Sequence, residues 1–220
     1  MKERIIETTQ GIQGAADASA FAEMQKGFRD RGILQTSAII KQGINGGQAA
    51  ELGPGPGLLG LEWLKSCPEG RLTGIEISRE MIRIAETNRA DYKLNDRAGY
   101  KLGTALDMPL ENESVDAVFS NGSLHEWEDP YKVLEEIYRV LKPGGQFFIS
   151  DLRRDLPGYR KFLMSLPLKS AHMKQGLKSS IDAAYTAGEM RCLLQWSRFP
   201  RWNVRQMGFG LILSGVKDVA

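Results

Sequence analysis

From residue 47 onward, short apolar runs alternate with longer stretches whose apolar residues recur at helical spacing. That alternation predicts an α/β domain with a largely parallel sheet covered on both faces. Five runs read as strands: 47–52, Arg71–Ile77, Gly99–Gly103, Val115–Ser120 and Gln146–Asp151. Between them, Leu58, Leu59, Leu61, Trp63 and Leu64 mark one helix. Ser78 is a good cap for a second over Arg79–Asn95, with Met81, Ile82, Ile84 and Ala85 facing inward. Asp129 followed by Pro130 opens a third, which should run to Leu141 before Lys142-Pro143-Gly144-Gly145 stops it. Thr186 and Glu189 match a capping box for a helix through Leu194. Trp202–Met207 and Leu211–Val216, separated by Gly208 and Gly210, read as a closing hairpin and bring the strands to seven.

The flanks carry less signal. Residues 1–46 lack strand alternation, while Ala18, Phe21, Ala22, Met24 and Phe28 share a helical face with Asp17 or Ser19 as its start. A second helix should cover Ile33–Gln42. This N-terminal helical cap is either packing surface or a lid, and Phe21 and Phe28 suit a lid. Residues 153–184 read as a basic helical insertion punctuated by Pro157 and Pro167. With no repeat or low-complexity linker, the reading is a single domain over 1–220: cap 1–46, core 47–152, insertion 153–184, closing helix and hairpin 185–220.

Composition narrows the partners. A formal charge of +2 gives no electrostatic case for nucleic acid or an anionic membrane as the main partner. Cys67 and Cys192 are isolated and, with only His125 and His172, offer little material for a disulfide framework or a zinc site. No run reaches membrane-spanning length, so the expectation is a soluble, cytoplasmic protein with no metal.

The chemistry concentrates in Glu-Leu-Gly-Pro-Gly-Pro-Gly at 51–57, where a strand opens into glycines at 53, 55 and 57 before a helix. Glycine lets the backbone approach a ligand, and the helix N-terminus presents unpaired N–H groups. Residues 55–60 also match Gly-x-Gly-x-x-Gly, the dinucleotide fingerprint, with Glu76 at a suitable distance for a ribose. Glu51, however, would repel a pyrophosphate in a low-dielectric cleft and suits a ligand with a cationic end. S-adenosylmethionine, with an ammonium, a sulfonium and no phosphate, fits better.

The same stretch resembles the first motif of class I S-adenosylmethionine-dependent methyltransferases, and the resemblance runs over 47–152 in order. Gly-Ile-Glu-Ile-Ser at 74–78 is similar to the acidic end of the second strand, and Gly-Thr-Ala-Leu-Asp-Met-Pro-Leu at 103–110 to the segment beside the adenine. Residues 114–127 are similar to the fourth strand and its loop, and 141–151 to the approach to the fifth strand. The nearest family is that of small-molecule methyltransferases of the ubiquinone/menaquinone-biosynthesis type. The resemblance implies a Rossmann-like, doubly wound seven-stranded sheet and S-adenosyl-L-methionine as cofactor. It implies methyl transfer to a small-molecule acceptor. The cofactor-binding set it implies is Glu51, Gly53, Gly55, Gly57, Glu76, Ile77, Ala105, Leu106, Asn121 and Gly122, with Glu76 on the ribose hydroxyls.

Two departures bear on specificity. Thr104 stands where the family usually has an acid, which shifts adenine-edge recognition to the backbone at Ala105 and Leu106 or to Asp107. Ser-Asn-Gly-Ser at 120–123 is not the Asn/Asp-Pro-Pro-Tyr of amino-directed DNA and protein-glutamine methyltransferases. His125 sits just past the fourth strand and has a suitable unperturbed pKa for a general base, but a structural or cofactor-lining role is the plainer reading. Asp151 and Tyr185 are candidate substrate contacts. Arg153, Arg154, Lys169, Lys174 and Lys178 are a solvated face or a site for an anionic substrate group. The competing readings are a non-catalytic S-adenosylmethionine-binding protein or partner-dependent subunit, and a nicotinamide-dependent oxidoreductase.

Overall fold

Strands buried on both faces need a helix on each side, and this requirement orders the architecture. The computed structural model describes residues 3–5, 11–168 and 171–219, so Lys169 lies outside them. Among these, five parallel strands, β1 (Gln48–Leu52), β2 (Arg71–Glu76), β3 (Ala98–Leu102), β4 (Val115–Asn121) and β5 (Leu141–Leu152), are followed by β6 (Arg201–Met207) and β7 (Gly210–Val216). The order across the sheet is β3-β2-β1-β4-β5-β7-β6, with β7 antiparallel to both neighbours. From β1 the chain winds outward to β3 and then returns to β4 on the other side of β1. The carboxyl ends of β1 and β4 therefore meet at the switch point where such sheets take ligands.

Two cores follow from the strand alternation. Ala50, Leu52, Val118, Phe147 and Ile149 face α5 (Pro130–Val140) and α8 (Ala187–Gln195). Ala49, Phe119 and Phe148 face α3 (Leu58–Ser66), whose Leu61, Trp63 and Leu64 are fully buried. Trp63 donates its indole N–H to the Ile44 carbonyl at 2.8 Å and lies 5.6 Å from the Phe119 ring. That contact ties α2 (Thr36–Lys41) and the chain entering β1 to the helix behind it.

The seven strands match the expectation, and local chemistry explains the ends. Ser78 accepts from the Met81 N–H at the start of α4 (Arg79–Asp91), and Asp129 accepts from the Lys132 N–H with Pro130 at the first helical position. The Thr186/Glu189 capping box is complete. Several boundaries differ, among them α4, which ends at Asp91, short of the expected Asn95. α1 (Ala15–Asp30) starts at Gly14, at φ 88° and without a side-chain cap, so neither Asp17 nor Ser19 is the start signal. α2 is six residues, shorter than Ile33–Gln42. β5 begins at Leu141, because Leu141 pairs Val115 before an irregularity admits Lys142–Gly145. The insertion holds α6 (Gly158–Ser165) and α7 (Ala171–Ala183).

Candidate functional site

The glycine loop is held open by a carboxylate. Glu76, at the end of β2, accepts the Gly55 N–H with Oε2 and the Ser78 N–H with Oε1, both at 2.9 Å. The residue is 6% exposed, and burial raises its pKa while the N–H groups of Ser78, Gly55 and Ile77 pull it back down. Gly53, Gly55 and Gly57 have φ of 62°, 53° and 78°. A β-carbon on Gly53 would meet the Ser123 hydroxyl, and one on Gly57 the Tyr100 hydroxyl. At Gly55 the neighbour is the Phe21 ring from α1, 3.4 Å from a β-carbon position.

Beside Glu76 lies a cavity of about 470 Å³ lined by Gln13, Ile77, Arg79, Glu80, Leu102, Gly103 and Thr104. Ile77 and Leu102 are 41% and 43% exposed, two apolar walls at the ends of adjacent strands. Thr104 bridges to Asp107 in a tight turn and accepts the Leu106 N–H at 3.2 Å. Ala105 and Leu106 are partly buried against the core.

Glu51 sits elsewhere than the open mouth. Its side chain passes beneath α3 against Gly60, is 2% exposed, and leaves Oε2 without a hydrogen bond. Burial, with the Glu76 carboxylate adding to it and the Gly60 N–H opposing, pushes it up to about 8. At neutral pH it is therefore mostly protonated.

On the other side of the switch point, the loop after β4 is laced to β1. Ser120 and Ser123 both donate to the Leu52 carbonyl, at 2.8 and 3.0 Å. Asn121 Oδ1 accepts from the Ser150 hydroxyl at 2.7 Å, and Gly122, at φ 76°, donates its N–H to the Ser150 carbonyl. His125 and Asp151 meet. The ring Nδ1 lies 3.0 Å from each carboxylate oxygen, and Asp151 also accepts the backbone N–H groups of His125 and Leu152. A carboxylate only accepts, so the contact puts the ring proton on Nδ1 and the lone pair on Nε2.

Tyr185 joins the same loop, donating to the Trp127 carbonyl at 3.1 Å, and burial raises its pKa. Arg153 and Arg154 are buried: Arg153 lies near Asp155, and Arg154 pairs with Glu189 and the Ala184 carbonyl. Sequence reasoning missed Arg4. Its guanidinium lies 4.2 Å over the Tyr185 ring and donates to the carbonyls of Ala183, His125 and Trp127. No motif surrounds it, and only tertiary contact reveals it. Ser123 and Gln13 were missed as well, although Ser123 lies inside a quoted motif. Among the described residues, no group of three or more His, Cys, Asp or Glu could hold a metal ion, and no helix is long and apolar enough to cross a membrane.

Residues 50–149 match the family model described as "Methyltransferase domain". A demethylmenaquinone methyltransferase of Listeria welshimeri is 35% identical over 97 residues, covering 43% of this chain and 40% of that protein. The match thus spans about two fifths of that relative's length. A proposed S-adenosyl-L-methionine-dependent methyltransferase from Methanococcus maripaludis superposes with a TM-score of 0.77 at 23% identity, over 99% of this chain and 97% of that one. An N-methyltransferase of Haemonchus contortus, solved with S-adenosylhomocysteine and phosphomonomethylethanolamine, gives 0.66 at 17% identity over 84% and 52%.

Proposed function

We propose that this chain, whose residues 50–149 match the methyltransferase-domain model, is a class I S-adenosylmethionine-dependent enzyme that transfers a methyl group to a small-molecule acceptor. The observation that carries the reading is Glu76, bridging the Gly55 and Ser78 N–H groups, with the next residue, Ile77, lining the 470 Å³ cavity. A ribose there would exchange hydroxyl contacts with the carboxylate. The adenine would lie between Ile77 and Leu102, with the backbone at Ala105–Leu106 near its edge. The amino-acid end would run along the backbone of the loop at Gly53, Gly55 and Gly57, with Asn121 and Gly122 on the far side. Glu51 would act from below the loop, as a buried acid answering a cationic ligand.

S-adenosylmethionine supplies an electrophilic methyl group on a sulfonium. The chain's own share is alignment and water exclusion, which supply much of the rate for an in-line displacement. Phe21 over Gly55 makes the N-terminal cap a cover for the loop. His125, held by Asp151 in the Nδ1–H tautomer, would take an acceptor's proton at Nε2. Asp151 is a positioning residue in this scheme, and Tyr185 and Arg4 hold the loop. The segments 1–46 and 153–184 act as parts of the same single domain.

The test is calorimetric titration with S-adenosylmethionine, S-adenosylhomocysteine and NAD, repeated on Glu76→Ala. Micromolar affinity for the first two, reduced at least tenfold in the variant, is expected. Binding of NAD alone would replace this reading with the oxidoreductase one.

A further inference from the structure

Helix α6 is inside out. Tyr159, Phe162, Leu163 and Leu166 follow i, i+3, i+4, i+7 spacing, the stripe that normally faces a core. Here they are 61%, 63%, 48% and 59% exposed, and α6 has no buried residue. The Arg160 guanidinium donates to the Gly208 carbonyl at 2.7 Å in an exposed bond that links α6 to the β6–β7 turn. That turn adds Met207 and Phe209, 51% and 44% exposed. Leu152 at the end of β5 pairs with Gly210, so this apolar face lies at the carboxyl end of the sheet.

We propose that α6 and the β6–β7 turn form a docking face for an anionic lipid bilayer. Contiguous exposed apolar surface on two linked elements calls for a covering partner. The charge around it selects which one. Residues 156–180 contain five Lys or Arg side chains and no Asp or Glu. The near-neutral total of the chain conceals this, because acids elsewhere offset it. In sequence, the apolar stripe is flanked by basic residues, the composition of an interfacial helix, in which apolar side chains enter the headgroup boundary and cations meet anionic lipid. A second copy of the chain would bring two such basic segments together, a like-charge cost that a bilayer does not impose. The inference stands apart from the identity of the cofactor.

The test is co-sedimentation of the full chain with vesicles of phosphatidylcholine alone and with about a third phosphatidylglycerol. The expected result is binding to the anionic vesicles that weakens with salt, and little binding to the neutral ones. Phe162→Ser/Leu166→Ser should reduce it at least tenfold, and Lys161→Glu/Lys174→Glu severalfold. The exposed positions should leave the melting temperatures unchanged, and this is measured alongside. No binding to the anionic vesicles, or binding indifferent to the double serine variant, overturns the proposal. So does light scattering that finds a wild-type dimer and a monomeric double serine variant, which would make the stripe a contact between copies.

Discussion

The Glu51 carboxylate packs against the backbone of Gly60, so close that a β-carbon at position 60 would occupy its place. An acid is thereby buried beneath the first turn of α3 with one oxygen lacking any hydrogen bond. Its pKa of about 8 in the fold, against 4.5 for an ordinary glutamate, makes it a liability for stability that grows with pH. The folded state binds the extra proton, so stability falls as pH rises from the ordinary value through about 8. Glu51→Gln keeps the shape and removes the ionisation. Its advantage over wild type should be near zero at pH 4.5 and reach on the order of 2–4 kcal/mol above pH 8. Urea melts of both proteins across that range check it, and parallel curves would refute the burial argument.

The same group gives binding a proton signature. A cationic ligand seated above the loop favours the ionised form of Glu51 and lowers its pKa. S-adenosylmethionine binding at pH 7 should therefore release part of a proton. Titrations in phosphate and in Tris should differ in enthalpy by that fraction times the difference in buffer ionisation heat. In Glu51→Gln the two buffers should agree. Equal enthalpies for the wild type would separate Glu51 from the ligand.

Gly53 and Gly122 both sit at positive φ, at 62° and 76°, but only Gly53 is crowded. A β-carbon there would stand 2.5 Å from the Ser123 hydroxyl, whose place is fixed by its bond to the Leu52 carbonyl, whereas one at Gly122 would meet nothing within 4 Å. Gly122→Ala should cost only the left-handed backbone penalty, about 1 kcal/mol. Gly53→Ala should cost about 3 kcal/mol, since overpacking adds to the same penalty. It should also weaken S-adenosylmethionine at least tenfold. Denaturation and titration of the two variants side by side separate backbone strain from crowding, and equal losses would contradict the geometry.

What the sequence made legible follows the strength of local signals. The strands rested on runs such as Phe147-Phe148-Ile149, apolar on both faces, and the helices on caps such as Ser78 and Asp129 that satisfy their own first turn. The place of Glu76 at the end of β2 was legible because an apolar run stops there in a quoted acidic motif. The N-terminus of α1 was not, since Gly14 caps it by conformation with no side-chain bond. Glu51 was chosen for its charge, yet the fold places it under the helix, where burial removes that charge at neutral pH. Arg4 and Tyr185 meet across 181 positions of chain, a separation at which no periodicity carries information.

Asp151 provides the last test, because its side chain is 1% exposed and accepts three N–H groups, two from His125 and one from Leu152. Asp151→Ala strands those donors in the interior, and about 3 kcal/mol of stability should be lost, near the upper end for an unpaired buried group. Asp151→Asn is gentler in volume but different in sense, since its amide nitrogen is a donor. Turned toward the ring, that nitrogen needs an acceptor, and His125 can supply one only by moving its proton from Nδ1 to Nε2. The imidazole nitrogens of a ¹⁵N-labelled protein read this directly at a pH where the ring is neutral. The wild type should show a protonated Nδ1 and the Asn variant a protonated Nε2. In the variant the base would then be occupied by its own proton, and acceptors that must be deprotonated should be methylated at least a hundredfold more slowly. Identical nitrogen shifts in the two proteins would show instead that the Asn oxygen faces the ring and Nδ1 keeps its proton.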